Sequence, residues 1–545
     1  PENPMPHLLR IEAVNLAACI DDTEDLSTRR GGSLMLLQAV QEMARRFSDR
    51  MTAVKTGAST GLFELHPGQD APALAEAIRA ELRGHPLYRH GSFVVEAAAA
   101  EGFHSAADAT LHAGRWRQMR SLSFSPVGLA DVAEGPCRID ERRPASAKDS
   151  VKGSRDTPVS ASVAVRRGHG REHKQDLYEQ ELAQLPPAEQ NPHWRGLRYT
   201  ADFEDLAQEP CLSVEPATLV GKIGVFYADG NGFGQRLRDC GGAEEVRAWE
   251  AHYSLARRRF LAAVVERARS EPRWQTATGA LRLETLLWGG DELMLVLPGW
   301  CALELADLFF EATAGLRWPA DAAAEDSDKR LTHACGLVLC HLQAPISGIS
   351  QLARRLAERG KKVRHNADSL NWMLLENFDQ AGGDLDGFLA TRYPGSGLGW
   401  PDLTLTPAAL ATLRRNLPDL KPLLPRSALL RAARLMVERV LPGDPAHRLL
   451  RRSWLQVHGA VADAAAQPRW QACWRAVHPD GRAWPERLPA LDDSVLWTDL
   501  IQPRDLAAWI TLLELWDYLP HWSAPPAETA TPTAGPTAAA EGAGA

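Results

Sequence analysis

Apolar and polar positions change rhythm several times along the chain. Residues 7–21 (HLLRIEAVNLAACID) form a nearly continuous apolar run that predicts a buried strand. Residues 33–47 (SLMLLQAVQEMARRF) carry helical apolar spacing after Gly31-Gly32-Ser33. Strand-like stretches at 51–66 and 91–99 and helical stretches near 71–84 and 104–121 follow, so the chain opens as an α+β domain ending around residue 135. Residues 136–215 lose this rhythm: two charged stretches bearing Pro and Ser flank one helical stretch near 175–185, which reads as a linker or small insertion with poor core potential.

From Val220 the pattern sharpens. KIGVFYADGNG is a strand running into a glycine-rich turn, 243–269 is a long helix, and 281–288 with 292–298 form a hairpin about Gly289-Gly290. Helix 300–316, strand 331–342, helix 346–364 and strand 370–379 complete a β-α-β-β-α-β order with an added helix and strand, a ferredoxin-like arrangement. Residues 407–518 are helical stretches separated by Pro and Gly, and 523–545 is a low-complexity tail too poor in large apolar residues to fold. The domains expected are 5–135, 136–215, 216–395, 396–522 and the disordered tail 523–545.

Composition narrows the function classes. With 45% hydrophobic and 24% charged residues in 545, the chain is an ordinary globular protein. A net charge of −8 removes a globally basic protein that wraps nucleic acid. The eight cysteines form no CxxC pair and suit reduced core positions. There is no uninterrupted apolar run of membrane-spanning length and no secretory pattern at the N-terminus, so the expected location is cytoplasmic, without a membrane partner. No GxxxxGK[ST], HExxH or GxSxG occurs, which leaves P-loop, zincin and serine-hydrolase readings without support.

Three short segments could carry chemistry. Asp229 ends a strand and runs into Gly230-Asn231-Gly232-Phe233-Gly234, where glycines let backbone N–H groups approach phosphate oxygens. Gly289-Gly290-Asp291-Glu292 places two adjacent carboxylates at a hairpin tip, which turn geometry does not require. Crowded carboxylates repel unless a divalent cation neutralises them. The strand order puts both tips at one sheet edge, so Asp229, Asp291 and Glu292 could share metals. Lys361, with Lys362 and Arg364, closes the helix after the 331–342 strand; only nine of 61 basic residues are lysine, so a lysine pair stands out. Each segment alone has a bland reading as a turn, a solvated acidic tip or a helix C-terminus. Six arginines between 431 and 452 (Arg431, Arg434, Arg439, Arg448, Arg451, Arg452) could face RNA or a partner subunit, and the solvated-helix reading is favoured.

Together these residues resemble the palm-domain large subunit of type III CRISPR effector complexes and its stand-alone relatives, kin to GGDEF diguanylate cyclases. ADGNGFG and GGDE match that family's active palm, and THACGLVLCHLQAPISGISQLARRLAERGKK is similar to its stretch after the hairpin. Thr23-Glu24-Asp25-Leu26 through Gly32-Ser33-Leu34 is similar to a segment of the family's first palm, which lacks the hairpin carboxylates. The resemblance implies an inactive first palm, an active second palm and a C-terminal helical domain. It also implies a metal-dependent nucleotidyltransferase that joins NTPs, ATP above all, into a cyclic oligonucleotide second messenger in antiviral defence, with effector-complex subunits or RNA as partners. Two Mg²⁺ or Mn²⁺ ions would be held by Asp229, Asp291, Glu292 and the Gly230 carbonyl. Residues 230–234, Gly289, Gly290, Lys361 and Arg364 would contact the nucleotide. Departures are clear: Asn231 stands where the family often has a second Asp, no His-Asp dipeptide of a nuclease domain occurs, and the zinc-binding CxxC is reduced to Cys137-Arg138-Ile139-Asp140, which argues against zinc despite His169 and His173. A non-catalytic scaffold, a nucleotide sensor and a GGDEF-like cyclic dinucleotide synthase are the alternatives.

Overall fold

The computed structural model describes residues 7–57, 59–120, 135–151, 153–208, 219–320, 322, 329–376, 384–394, 396–438, 445–484 and 503–520. The expected disordered tail, 523–545, lies outside them. The α+β class holds, and two sheets organise the molecule.

The first sheet has the strand order β2-β3-β1-β4, all antiparallel, from β1 (His7–Val14), β2 (Met51–Thr56), β3 (Thr60–Leu65) and β4 (Ser92–Ala99). Its helices are α1 (Leu26–Arg46), α2 (Ala71–Gly84) and α3 (Phe103–Arg120). The expected first strand, 7–21, stops at Val14, and the expected 51–66 strand is two strands. Helix α1 starts seven residues before the apolar spacing suggests. Asp25 caps it, its Oδ1 accepting from the Thr28 N–H at 2.8 Å, which satisfies an otherwise orphaned donor of the first turn.

The 136–215 segment is more ordered than its composition suggests. It holds a hairpin of β5 (Ala147–Val151) and β6 (Ser154–Val159), then α4 (Ala161–Glu172), α5 (Lys174–Ala183) and α6 (Phe203–Ala207). Beyond the small core of Cys137, Val159 and Val163, its anchoring is ionic. Arg166, fully buried, meets both Asp22 carboxylate oxygens at 3.0 and 2.8 Å. Arg143 joins Asp22 to Asp140, and Arg167 pairs with Asp25 and Asp149. The helix α4 lies so close on α1 that a Cβ at Gly31 would stand 1.7 Å from the Arg166 carbonyl oxygen. Such close crossing is what glycine allows, and it explains why α1 runs through Gly31-Gly32 rather than starting after it. Cys137 is buried in the small core, His169 bonds Gln38 at 2.8 Å, and His173 bonds Asp176 at 2.7 Å.

The second sheet has the order β11-β10-β7-β9-β8. Its elements are β7 (Lys222–Gly230), α7 (Phe233–Asp239), α8 (Ala243–Ser270), β8 (Glu284–Gly289), β9 (Glu292–Pro298), α9 (Gly299–Thr313), β10 (His333–His341), α10 (Ile346–Val363) and β11 (Ser369–Leu374). Strand β7 is central and buried along its whole length, as its unbroken apolar sequence requires. The pairs β10–β7, β7–β9 and β9–β8 are antiparallel, and β11 adds in parallel to β10 after the α10 crossover.

Helices α11 (Leu385–Arg392), α12 (Trp400–Leu403), α13 (Pro407–Leu420), α14 (Arg426–Val437), α15 (Pro445–Val461), α16 (Gln467–Val477) and α17 (Pro503–Trp516) follow. One apolar core runs from the second sheet through these helices, including Phe226, Leu295, Leu337, Leu410, Trp470 and Trp509. The first sheet has its own core on the α1–α2 side, while Leu8, Val54 and Leu62 on its other face pack with Trp249, Tyr253 and Val246 of α8. Among the described residues no helix is long and apolar enough to cross a membrane.

Candidate nucleotide and metal site

Register places the carboxylates. Asp229 lies one residue before the end of β7 and is directly paired with Glu292, the first residue of β9. Gly289 pairs with Glu292, so the two-residue loop of the hairpin is Gly290-Asp291 rather than Gly289-Gly290. Gly290 has φ of 58°, a conformation that glycine takes at little cost in such tight loops. Asp291 therefore sits in the turn itself, beside the cross-strand pair.

The three carboxylates act on one another. Asp229 is only 7% exposed, and burial raises its carboxyl above the ordinary range; the Lys361 hydrogen bond opposes the rise and Asp291 adds to it. Glu292 is open to solvent on one side, yet the protein packed round its other side raises its carboxyl too; Asp229 adds to the rise, while Arg354 opposes it. An oxygen-only set of mutually repelling carboxylates fits a hard divalent cation. Among the described residues, no three His, Cys, Asp or Glu side chains already enclose a point for an ion, and one Asp229 oxygen is held by Lys361 Nζ at 2.5 Å.

Lys361 reaches Asp229 because α10 lies flat on the sheet. Gly336 of β10 faces the helix so closely that a Cβ there would stand 1.9 Å from the Ala353 carbonyl oxygen. Lys361 also lies 3.4 Å from Glu358. Burial works against its charge, but Asp229 outweighs this and raises its pKa. Lys362 is exposed, and Arg364 is half-buried at the helix end, its N–H donating to the Gly360 carbonyl at 2.9 Å.

The glycine-rich turn divides into an open side and a buried one. Gly232 and Gly234 are exposed, whereas Phe233 is buried against Trp249, Tyr253 and His333 with ring centroids 4.9 to 5.4 Å apart. Phe233 thus anchors the turn and does not line its open side. The Asn231 side chain also turns inward, donating from Nδ2 to Thr332 Oγ1 at 3.0 Å and to the Ala367 carbonyl at 3.1 Å. Its Oδ1 is buried without a hydrogen-bond partner. Gly230 ends β7 opposite His333, and Gly289 is buried at the end of β8.

Two residues at this site carry no sequence signal of their own. Arg257 of α8 donates to the Gly290 carbonyl, and Arg354 of α10 stands over the Tyr227 ring, 5.8 Å from its centroid. Both lie in arginine-bearing helices where spacing alone does not single them out; only the register of each helix against the sheet does.

No family model matches the chain, and no curated protein matches it. Solved structures similar to it include Csm1 of T. onnurineus, 13% identical, covering 94% of this chain and 69% of that one at a TM-score of 0.48. The Csm1-Csm4 cassette in complex with cA4 is 14% identical, over 94% of this chain and 70% of that one, TM-score 0.47. The Csm1-Csm4 subcomplex of the type III-A CRISPR-Csm interference complex is 14% identical, over 88% and 68%, TM-score 0.44. These are structures of the family that the sequence motifs resemble.

Proposed function

We propose that this chain is a nucleotidyltransferase that joins nucleoside triphosphates into a cyclic oligonucleotide where β7 ends and β9 begins. The observation that carries the reading is the cross-strand pair Asp229–Glu292, with Asp291 in the adjoining turn and Lys361 on the facing helix. Both sheets are read as ferredoxin-like palms, each with the order second-third-first-fourth strand, and the second, which bears the carboxylates, as the active one. ATP as substrate, antiviral signalling and assembly with effector-complex subunits or RNA are what the motif resemblance adds.

Asp229, Asp291, Glu292 and the Gly230 carbonyl would hold Mg²⁺ or Mn²⁺, two ions on this reading. When bound, such ions neutralise phosphate charge and make a hydroxyl a better nucleophile at neutral pH. The chain's own residues do the rest. Lys361 offers a cation to the triphosphate, which favours departure of pyrophosphate. Gly232 and Gly234 leave the backbone bare for phosphate oxygens to approach. Phe233 and Asn231 fix the turn from beneath, so that its N–H groups stay oriented. Arg364, at the end of α10, extends the basic edge.

One observation favours a second reading. Lys361 already occupies Asp229, as it would in a palm that binds nucleotides without turning them over. Incubating the purified chain with each labelled NTP and Mg²⁺ or Mn²⁺, then separating products by chromatography and mass spectrometry, decides between them. A cyclic product lost in Asp291→Ala/Glu292→Ala supports the transferase; nucleotide binding without any product, with RNA or partner subunits added, leaves the sensor.

A further inference from the structure

Arg354, Glu358 and Lys361 lie along one side of α10, spaced by four and three residues, at the edge of the buried face formed by Leu352, Ala353, Leu356, Ala357 and Gly360. Lys361 meets Asp229 at 2.5 Å. Two turns earlier, about 10 Å along the axis, Arg354 stands over the ring of Tyr227, 5.8 Å from its centroid, and Tyr227 lies two residues before Asp229 on β7, on the same face of the sheet. Two cations of one helix thus stand along the carboxylate-bearing strand, one on Asp229 and one over Tyr227. The two cations differ in how well they are satisfied. Lys361 has carboxylates at 2.5 and 3.4 Å, whereas the Arg354 Nε is buried with no hydrogen-bond partner. A buried guanidinium donor left unmade is costly, and a ligand with acceptor oxygens would relieve it.

We propose that Arg354 is a second polyphosphate-binding residue, and that α10 holds Lys361 on Asp229 and leaves Arg354 with an unmade donor until a polyphosphate draws both cations onto its own oxygens. The inference rests on the nucleotide reading of the site and deepens it. Two cations two turns apart match charge spread along a triphosphate, which a monophosphate cannot bridge. Transfer of Lys361 to phosphate leaves Asp229 unpaired, and this raises the affinity of the carboxylates for a divalent cation. Anion and metal therefore help one another to bind through α10, in the reciprocal sense that linkage demands.

The test uses the full chain, inorganic tripolyphosphate and AMP as anions, and Mn²⁺ followed by electron paramagnetic resonance. Arg354→Gln and Lys361→Gln are each expected to weaken tripolyphosphate binding about tenfold, the scale of one charge-assisted hydrogen bond, and to leave AMP binding unchanged. Without any anion, Lys361→Gln should bind Mn²⁺ more tightly than the wild type. Lys362→Gln makes the same charge change on the exposed side and should do neither. Arg354→Lys keeps the charge and should stay near wild type, and a circular dichroism spectrum identifies any variant that fails to fold. Tripolyphosphate affinity unchanged in Arg354→Gln, with Lys361→Gln weakened, overturns the role of Arg354 while the nucleotide reading stands. Wild-type protein that binds neither tripolyphosphate nor Mn²⁺ overturns both.

Discussion

Arg257 donates from Nη1 to the carbonyl oxygen of Gly290 at 2.8 Å. The guanidinium is 8% exposed in its residue, stands 5.4 Å from the Trp288 ring centroid and lies 4.0 Å from a Glu181 oxygen. The turn that carries Asp291 is therefore held from below by α8, and through Glu181 by α5. Removing the guanidinium leaves a half-buried carbonyl without its charged donor, a loss of roughly 1.5–3 kcal/mol. Arg257→Gln is expected to lower the rate of nucleotide joining roughly tenfold to a hundredfold, mainly in kcat, because the loss falls on the position of Asp291. Arg259→Gln, two residues on and paired at the surface with Glu189, is the control and should stay within about twofold. Steady-state kinetics on both variants check this.

Asp291 works against the fold that presents it. It raises the carboxyls of both Asp229 and Glu292, so the repulsion among the three charged carboxylates costs stability. Asp291→Asn removes the repulsion and keeps the shape. It is expected to hold or raise stability to urea by up to about 1 kcal/mol while abolishing nucleotide joining. A stability loss larger than this would mean that Asp291 makes favourable contacts in the folded state.

Strong periodicity makes the order of elements in the second sheet legible, although β8 starts at Glu284 rather than 281, α9 ends at Thr313 rather than 316 and β11 ends at Leu374 rather than 379. Strand β7 and helices α8 and α10 lie within a residue or two of where the apolar spacing places them, because each buries a continuous apolar face. The carboxylates could be brought to one sheet end from strand order alone, since register follows from the hairpin. What spacing misses is burial by charge. Helix α4 sits on α1 through Arg166, Arg167 and two glycines, and none of these contributes to an apolar pattern. The turn falls one residue later than the Gly289-Gly290 pair suggests for a similar reason: Gly289 closes the ladder opposite Glu292, which no composition rule distinguishes from a loop glycine. Arg257 and Arg354 are invisible for the complementary reason, since their neighbours in sequence are also arginines.

Gly336 controls where Lys361 stands. A methyl group there would meet the Ala353 carbonyl oxygen at 1.9 Å, far inside contact distance, so α10 must lift from β10. Overpacking of this kind costs about 1–3 kcal/mol, which a thermal or urea melt of Gly336→Ala should show. The larger expected effect is functional. Lifting α10 carries Lys361 away from Asp229 and Arg354 away from Tyr227 together, so triphosphate affinity should fall by more than in either single-cation variant. A Gly336→Ala protein that melts early but binds tripolyphosphate normally would show that α10 can shift without moving its basic face.

The contact between the two sheets has its own pH dependence. Glu284 at the start of β8 is buried, and accepts from Arg30 Nε at 2.8 Å and from Lys174 Nζ at 2.7 Å. Burial works against its charge, but Arg30 and then Lys174 outweigh it and hold its carboxyl low. Lys174 goes the other way: burial outweighs the attraction of Glu284, Arg30 adds repulsion, and its pKa falls from 10.5 to about 8. Between those two values the unfolded chain holds the proton and the folded chain does not, so stability rises with pH across this window. Lys174→Met should remove that rise and, with Arg30 still paired to Glu284, cost little at pH 7. Glu284→Ala leaves two buried cations facing each other, and a loss of about 3–5 kcal/mol is expected. Urea denaturation of the three proteins from pH 7 to 10 separates these outcomes. A wild-type stability that is flat over this range, or a Lys174→Met curve that still climbs, would mean that the lysine keeps its proton in the folded state and that Glu284 dominates the triad.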